Sequence, residues 1–291
     1  MKIQKSYIDV GPTLYLVPTP IGNYDDMTFR SVEVLKNVSY IFCEDTRITK
    51  VLLSHFDIKT PLMKYRLFNE EIESAQILKL LSDGNDIALV SDAGMPCISD
   101  PGYYISSLAI KQGFKVIALP GASASLTALA ASGLPCDSFY FQGFLNSKKT
   151  QRVKQLEELK NKRETLIIYE APHRLKECLE DIYSVLKDRR IVIAREISKK
   201  YEEYIRGNIS EILNSDLTVK GEMVIIIEGT KTSDLINNLN DMTVYEHYKY
   251  YLDEGIEEKN ALKMVAKDRN VSKSDIYKII KVQGETGETN D

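Results

Sequence analysis

An alternation through about the first 130 residues limits the fold more than any other feature of the chain. Short apolar runs at 13–17, 40–42, 87–90 and 116–119 are bounded by Gly, Pro or Asp, and stretches of helical spacing at 28–36, 46–55, 70–82, 103–112 and 123–132 separate them. A run that is apolar on both faces belongs in a sheet covered on both sides. Helical crossovers between such runs join parallel strands. The pattern predicts an α/β unit with a mostly parallel sheet.

Gly133-Leu134-Pro135 then predicts a hinge. Strand patterns return at 138–142, 166–169, 191–194, 202–206 and 222–227, with helices expected at 149–160 and 173–186. No helical crossover precedes 202–206, so part of this second sheet is expected to pair antiparallel. From Ser233 on no strand pattern survives; short helices are expected at 245–252, 257–268 and 272–281, and a polar tail at 284–291. The last two helices flank Arg269-Asn270-Val271 and have helix-turn-helix proportions. The expected organisation is two α/β domains, 1–133 and 134–232, followed by a helical extension at 233–291.

Charge narrows the function. The chain has 38 Lys and Arg against 42 Asp and Glu, a net charge of −4, which excludes a globally basic nucleic-acid coat but not a local basic face. No apolar run approaches the ~18 residues of a membrane span, and MKIQKSYIDV lacks a signal-peptide core, so a cytoplasmic protein is expected. Cys43, Cys97, Cys136 and Cys178 form no C-x-x-C pair, and His55, His173 and His247 lie far apart in sequence, so no metal site is expected. Neither G-x-G-x-x-G nor G-x-x-x-x-G-K-[ST] occurs.

Three loops after expected strands are rich in Gly and Pro: Pro18-Thr19-Pro20-Ile21-Gly22-Asn23, Asp92-Ala93-Gly94-Met95-Pro96 and Pro120-Gly121-Ala122-Ser123-Ala124. Any one of them reads equally well as a tight turn. Three on the carboxyl edge of one open sheet point to a ligand cleft.

The ordered strings VPTPIGN, CEDTR, SDAGMPCISDPG, LPGASA and YEAPHR resemble the tetrapyrrole methylase superfamily, and within it the enzymes that 2′-O-methylate a ribosomal RNA cytidine. The likeness runs from about Leu14 to Gly229 and continues into the helical tail. It implies S-adenosylmethionine held in a cleft between two α/β domains, usually within a homodimer, and a decoding-centre cytidine of 16S rRNA, presented in the small ribosomal subunit, as target. By motif position, the backbone around Leu16–Pro18, Asp92 with Gly94 and Met95, and Gly121, Ser123 and Ala124 would contact the cofactor, with Tyr169 and Glu170 closing over it. A methyl already activated on a sulfonium calls for no metal.

A ribose hydroxyl must lose its proton, and the candidate bases are Asp45, Glu170 and His173. Each has a plainer reading. Asp45 suits a helix N-terminus and His173 a surface helix start. Arg47 and Arg174 are candidate phosphate ligands. Lys148, Lys149 and Arg152, on the most basic stretch of an acidic chain, are the expected RNA-facing surface, although such a run also reads as a solvated helix face. Two rivals stay open: a tetrapyrrole C-methyltransferase of the same fold, and a non-catalytic RNA-binding assembly factor.

Overall fold

In the computed structural model, which describes residues 3–66, 69–217 and 220–286, the first sheet contains β1 (Thr13–Val17), β2 (Tyr40–Cys43), β3 (Leu62–Lys64), β4 (Ile87–Val90) and β5 (Lys115–Ala118). Its order is β3-β2-β4-β1-β5 and every neighbouring pair is parallel. Successive side chains point to opposite faces, and both faces are covered. Leu14, Leu16, Ile87 and Leu89 pack against α3 (Glu70–Ser82) and α4 (Tyr103–Gln112) through Ile77, Leu81 and Ile105. Val17, Ile41, Ala88 and Val90 pack on the other side with Leu35 of α1 (Phe29–Asn37) and Leu53 of α2 (Thr46–His55).

The second sheet contains β6 (Phe139–Phe144), β7 (Thr165–Glu170), β8 (Arg190–Arg195), β9 (Glu203–Asn208) and β10 (Met223–Ile227), in the order β6-β7-β10-β8-β9. Only β6 and β7, joined by α6 (Lys149–Leu159), run parallel. The other three pairings are antiparallel, and the missing crossover before β9 predicts that of β8 with β9. One face packs Leu166, Ile168, Ile193 and Ile225 against α6 and α7 (Leu175–Leu186). The opposite face, with Ile167, Val192 and Ile226, meets Ala128 and Leu129 of α5 (Ala124–Ser132). α5, ASLTALAAS, starts at the carboxyl edge of the first sheet, buries Ser125, Ala128, Leu129 and Ser132, and leaves Leu126, Thr127, Ala130 and Ala131 exposed; Ile21, from the loop after β1, joins the same cluster. The carboxyl edge of the first sheet is thereby held against the second.

After α8 (Ile209–Leu213), a bundle of α9 (Thr232–Asp241), α10 (Val244–Asp253), α11 (Glu258–Asp268) and α12 (Lys273–Thr286) closes around Leu235, Leu239, Tyr251 and Val265. Four elements depart from the sequence reading. β3 is a three-residue edge strand, too short to show periodicity. α8 and α9 were not expected; α9 reads TSDLINNLND, whose polar, Asn-rich composition hides a two-leucine stripe. α12 extends to Thr286, into the expected tail, the rest of which lies outside the described residues. Among the described residues no helix is long and apolar enough to cross a membrane, and no cluster of three His, Cys, Asp or Glu could hold a metal ion.

Candidate active site

Two loops at the carboxyl edge of the first sheet are tied together before any ligand is considered. Thr19 and Gly94 exchange backbone hydrogen bonds at 2.9 and 3.0 Å. The Thr19 hydroxyl donates to the Ser91 carbonyl, and the Ser91 hydroxyl to the Gly94 carbonyl. Gly94 holds φ +81°, a conformation that favours glycine. Gly121 is needed for a different reason: a Cβ there would lie 2.7 Å from the Pro18 ring. The third loop therefore packs directly on the first.

These loops floor a cavity of about 390 Å³ between the two sheets. Asp92, Gly94 and Met95 line it from the first sheet, Ser123 and Ala124 from the start of α5, and Tyr169 and Glu170 from the end of β7. Phe144, Pro172 and Val224 complete the far wall. Tyr169 is braced edge-on between Phe141 and Phe144, at ring separations of 5.1 and 5.6 Å. Of the residues expected at the cofactor, Leu16, Pro18 and Gly121 do not line the cavity. Leu16 is a core residue whose carbonyl accepts from the Leu119 amide, while Pro18 and Gly121 support the floor from behind.

Asp100, from the loop before α4, also lines the wall. Its loop is strained, with Cys97 at φ 72° and Ser99 at φ 63°, a cost of roughly 1–3 kcal/mol each that persists only where the surroundings hold it. The Gly102 amide anchors the loop by donating to Glu70 at 3.2 Å. Burial, reinforced by Glu44 and Asp92, pushes the Asp100 carboxyl up to about 6. Burial also raises Asp92, although the Asp45 amide donates to it at 3.2 Å and opposes the shift. Glu44 is raised by burial, then by Asp92 and Asp45. Asp92 and Asp100 thus repel one another on the cavity wall, with Glu44 close by but outside the lining. A cation placed among them relieves that repulsion.

The three candidate bases separate. Glu170 is 2 % exposed; its Oε1 accepts from the Ala171 amide at 2.8 Å and lies 3.4 Å from Arg174 Nε. Its side chain is fully buried, with the Cys178 thiol beside it, and its Oε2 has no hydrogen-bond partner among the described residues. Asp45 caps α2 and accepts from the Arg47 guanidinium and amide, which hold its carboxyl down at about 2. It does not line the cavity. His173 sits exposed in a 3-10 turn, also off the cavity wall.

The expected RNA-facing set needs correction. Arg152 is fully buried, donating to Asp181 at 2.7 Å, Glu177 at 2.6 Å and the Ser147 carbonyl at 3.1 Å. It bolts α6 to α7 and presents nothing to solvent. Lys149 remains exposed but lies 3.4 Å from the same Asp181, and Lys148 is exposed at the start of α6. Arg174 donates to the carbonyls of Leu145 and Asn146. Arg47, paired with Asp45, keeps a side chain that is 89% exposed.

The cavity fits S-adenosylmethionine on its own chemistry. The carboxyls of Asp92 and Asp100 suit a sulfonium and an ammonium. The volume falls within the usual range for small-molecule sites. Residues 13–213 match the family model described as Tetrapyrrole (Corrin/Porphyrin) Methylases. The chain is 48% identical over 285 residues to Ribosomal RNA small subunit methyltransferase I of Halalkalibacterium halodurans, covering 96% of this chain and 99% of that protein. It is 47% identical over 270 residues to the protein of the same name from Bacillus subtilis, covering 91% and 92%. Among solved structures, uroporphyrin-III-C-methyltransferase from Thermus thermophilus aligns with a TM-score of 0.54 at 18% identity, over 74% of this chain and 94% of that one. A diphthine synthase aligns with a TM-score of 0.58 at 13% identity, over 74% and 90%. At those identities the two structures establish the fold alone. With the fold, the cavity and full-length likeness in agreement, the chain belongs to the tetrapyrrole methylase family, on the branch of the ribosomal RNA small subunit methyltransferase I proteins.

Proposed function

We propose that this protein transfers a methyl group from S-adenosylmethionine to the ribose 2′-oxygen of a decoding-centre cytidine in 16S rRNA, acting in the cytoplasm on the small ribosomal subunit as a homodimer. The observation that carries the reading is the carboxyl-lined cavity between the sheets, a cation site in a protein of this family. The choice of RNA over a tetrapyrrole rests on likeness. Relatives named for ribosomal RNA match at 47–48% over nearly the whole chain, whereas the solved uroporphyrin enzyme matches at 18%. The division at residues 133 and 232 belongs to the same reading: two α/β units form the cleft and the helical bundle follows.

When bound, the cofactor supplies a methyl on a positively charged sulfur, ready for displacement. Asp92 and Asp100 would hold its cationic end, and the backbone of Gly94, Met95, Ser123 and Ala124 would hold the rest. Tyr169 and Phe144 form an apolar wall that keeps water from the reacting oxygen. Aligning the nucleophile with its target supplies most of the acceleration. Glu170 is the proposed proton acceptor. It alone of the three candidates is among the residues that line the cavity, and Ala171 and Arg174 steady its Oε1.

The test is methyl transfer from isotopically labelled cofactor to small subunits lacking the modification, followed by nucleoside analysis. Label in 2′-O-methylcytidine supports the reading. Label in a base, or transfer to uroporphyrinogen in place of RNA, contradicts it.

A further inference from the structure

A second, open groove runs beside the edge strand β3, with a volume of about 1010 Å³. Arg47, Lys50, Lys59 and Lys64 line it, against Asp57 and Glu73. Both carboxylates are engaged: Asp57 lies 3.7 Å from Lys59, and Glu73 accepts from the Arg66 amide. Lys50 and Lys64 are exposed and carry no ion pair among the described residues. With Asp45, which pairs with Arg47 at the groove's edge, four cations and three carboxylates leave the groove at +1 on a chain whose net charge is −4. The cavity wall, by contrast, is acidic.

The groove also leads somewhere. Lys64 ends β3 in register with Cys43 at the end of β2, on the carboxyl edge that bears the cavity. Asp45, which holds Arg47, donates its amide to Asp92 on the cavity wall. One hydrogen-bonded step therefore separates the basic groove from the acidic cavity. A polyanion is repelled by the cavity and attracted along the groove, so only an uncharged ribose edge is favoured at the carboxyls.

We propose that the groove between α2 and β3 seats the phosphate backbone of the single-stranded RNA that enters the cavity. This rests on the rRNA reading above and names its docking surface, in place of the α6 face whose Arg152 is buried. Each phosphate neutralised on a single strand steepens the salt dependence of binding by ~0.7 in log–log slope.

The experiment measures binding of a fluorescein-labelled single-stranded oligoribonucleotide across a salt series, for the full chain and two triple variants. Lys50→Gln, Lys59→Gln and Lys64→Gln together remove three groove charges. Lys154→Gln, Lys160→Gln and Lys162→Gln remove three from α6 and the segment after it. The groove variant should show a slope shallower by about 2, and the α6 variant a slope near that of the unmodified protein. Cofactor affinity by calorimetry should match in all three, which reports intact folding. An unchanged slope in the groove variant, with flattening in the α6 variant, overturns the proposal. The rRNA reading fails separately: unmodified protein that binds the oligoribonucleotide through the groove yet leaves small subunits unmethylated keeps the groove as an RNA site and discards the substrate.

Discussion

Asp100 is held where burial and two neighbouring carboxyls oppose its charge, so it costs the empty protein stability and serves the filled one. The sign follows from its raised value. The folded protein binds the Asp100 proton more tightly than the unfolded chain, so its stability falls as pH rises from about 4 through about 6. Asp100→Asn should accordingly raise Tm at pH 7.5 by a few degrees, corresponding to about 1–2 kcal/mol once solvent screening at a partly exposed site is allowed for. The same variant should bind S-adenosylmethionine at least tenfold more weakly. In the unmodified protein, affinity should climb as pH rises through about 6, and this dependence should vanish in Asp100→Asn; a pH-independent affinity in the unmodified protein would remove the carboxyl from the site. Glu170→Gln should lower single-turnover methylation at least ~10²-fold with cofactor affinity near the original. Asp45→Asn and His173→Ala should stay within a few-fold, and a large loss in either with none in Glu170→Gln would reassign the base. These distinctions were only partly legible in the chain. Asp92, Gly94 and Glu170 follow expected strands and declared themselves by position. Asp100 did not, because Glu44 and Asp92, which set its charge, come from other loops and meet it only in space.

Among the elements, α6 shows what a charge run conceals. Its cations are plain in the sequence, but the partner that buries Arg152 is Asp181, 29 residues away on α7. Removing one member of a buried ion pair costs about 3–5 kcal/mol. Arg152→Ala should therefore lower the unfolding free energy by that amount in denaturant titration while leaving the salt slope of RNA binding unchanged; a shallower slope at intact stability would return Arg152 to the RNA surface. At the loops, Gly121→Val should drive the Pro18 ring off its seat, lower stability by roughly 1–3 kcal/mol and weaken cofactor binding through the displaced floor. Unaltered stability and affinity would show that the two loops do not need their close contact. The ends of α2, α3 and α4 were legible to the residue: Asp45 caps α2, an acidic first turn of Glu70, Glu71 and Glu73 opens α3, and the left-handed Gly113 ends α4. The edge strand β3 and the Asn-rich α9 were not. Tertiary pairing, rather than propensity, makes them what they are.

Taken as a whole, the molecule joins two sheets through α5, and the cavity exists because that helix starts at one sheet edge and packs on the other sheet. The acidic cavity and the basic groove share that edge, one suited to a cationic methyl donor and the other to a polyanionic acceptor. The measurement that tests this most directly is mapping ribose methylation across 16S rRNA from cells that lack the gene, complemented in turn with the unmodified protein and with Asp100→Asn. The account predicts one cytidine whose 2′-O-methyl is lost on deletion, restored by the unmodified protein and left mostly unrestored by Asp100→Asn. A ribose methylation map that deletion leaves unchanged would contradict it.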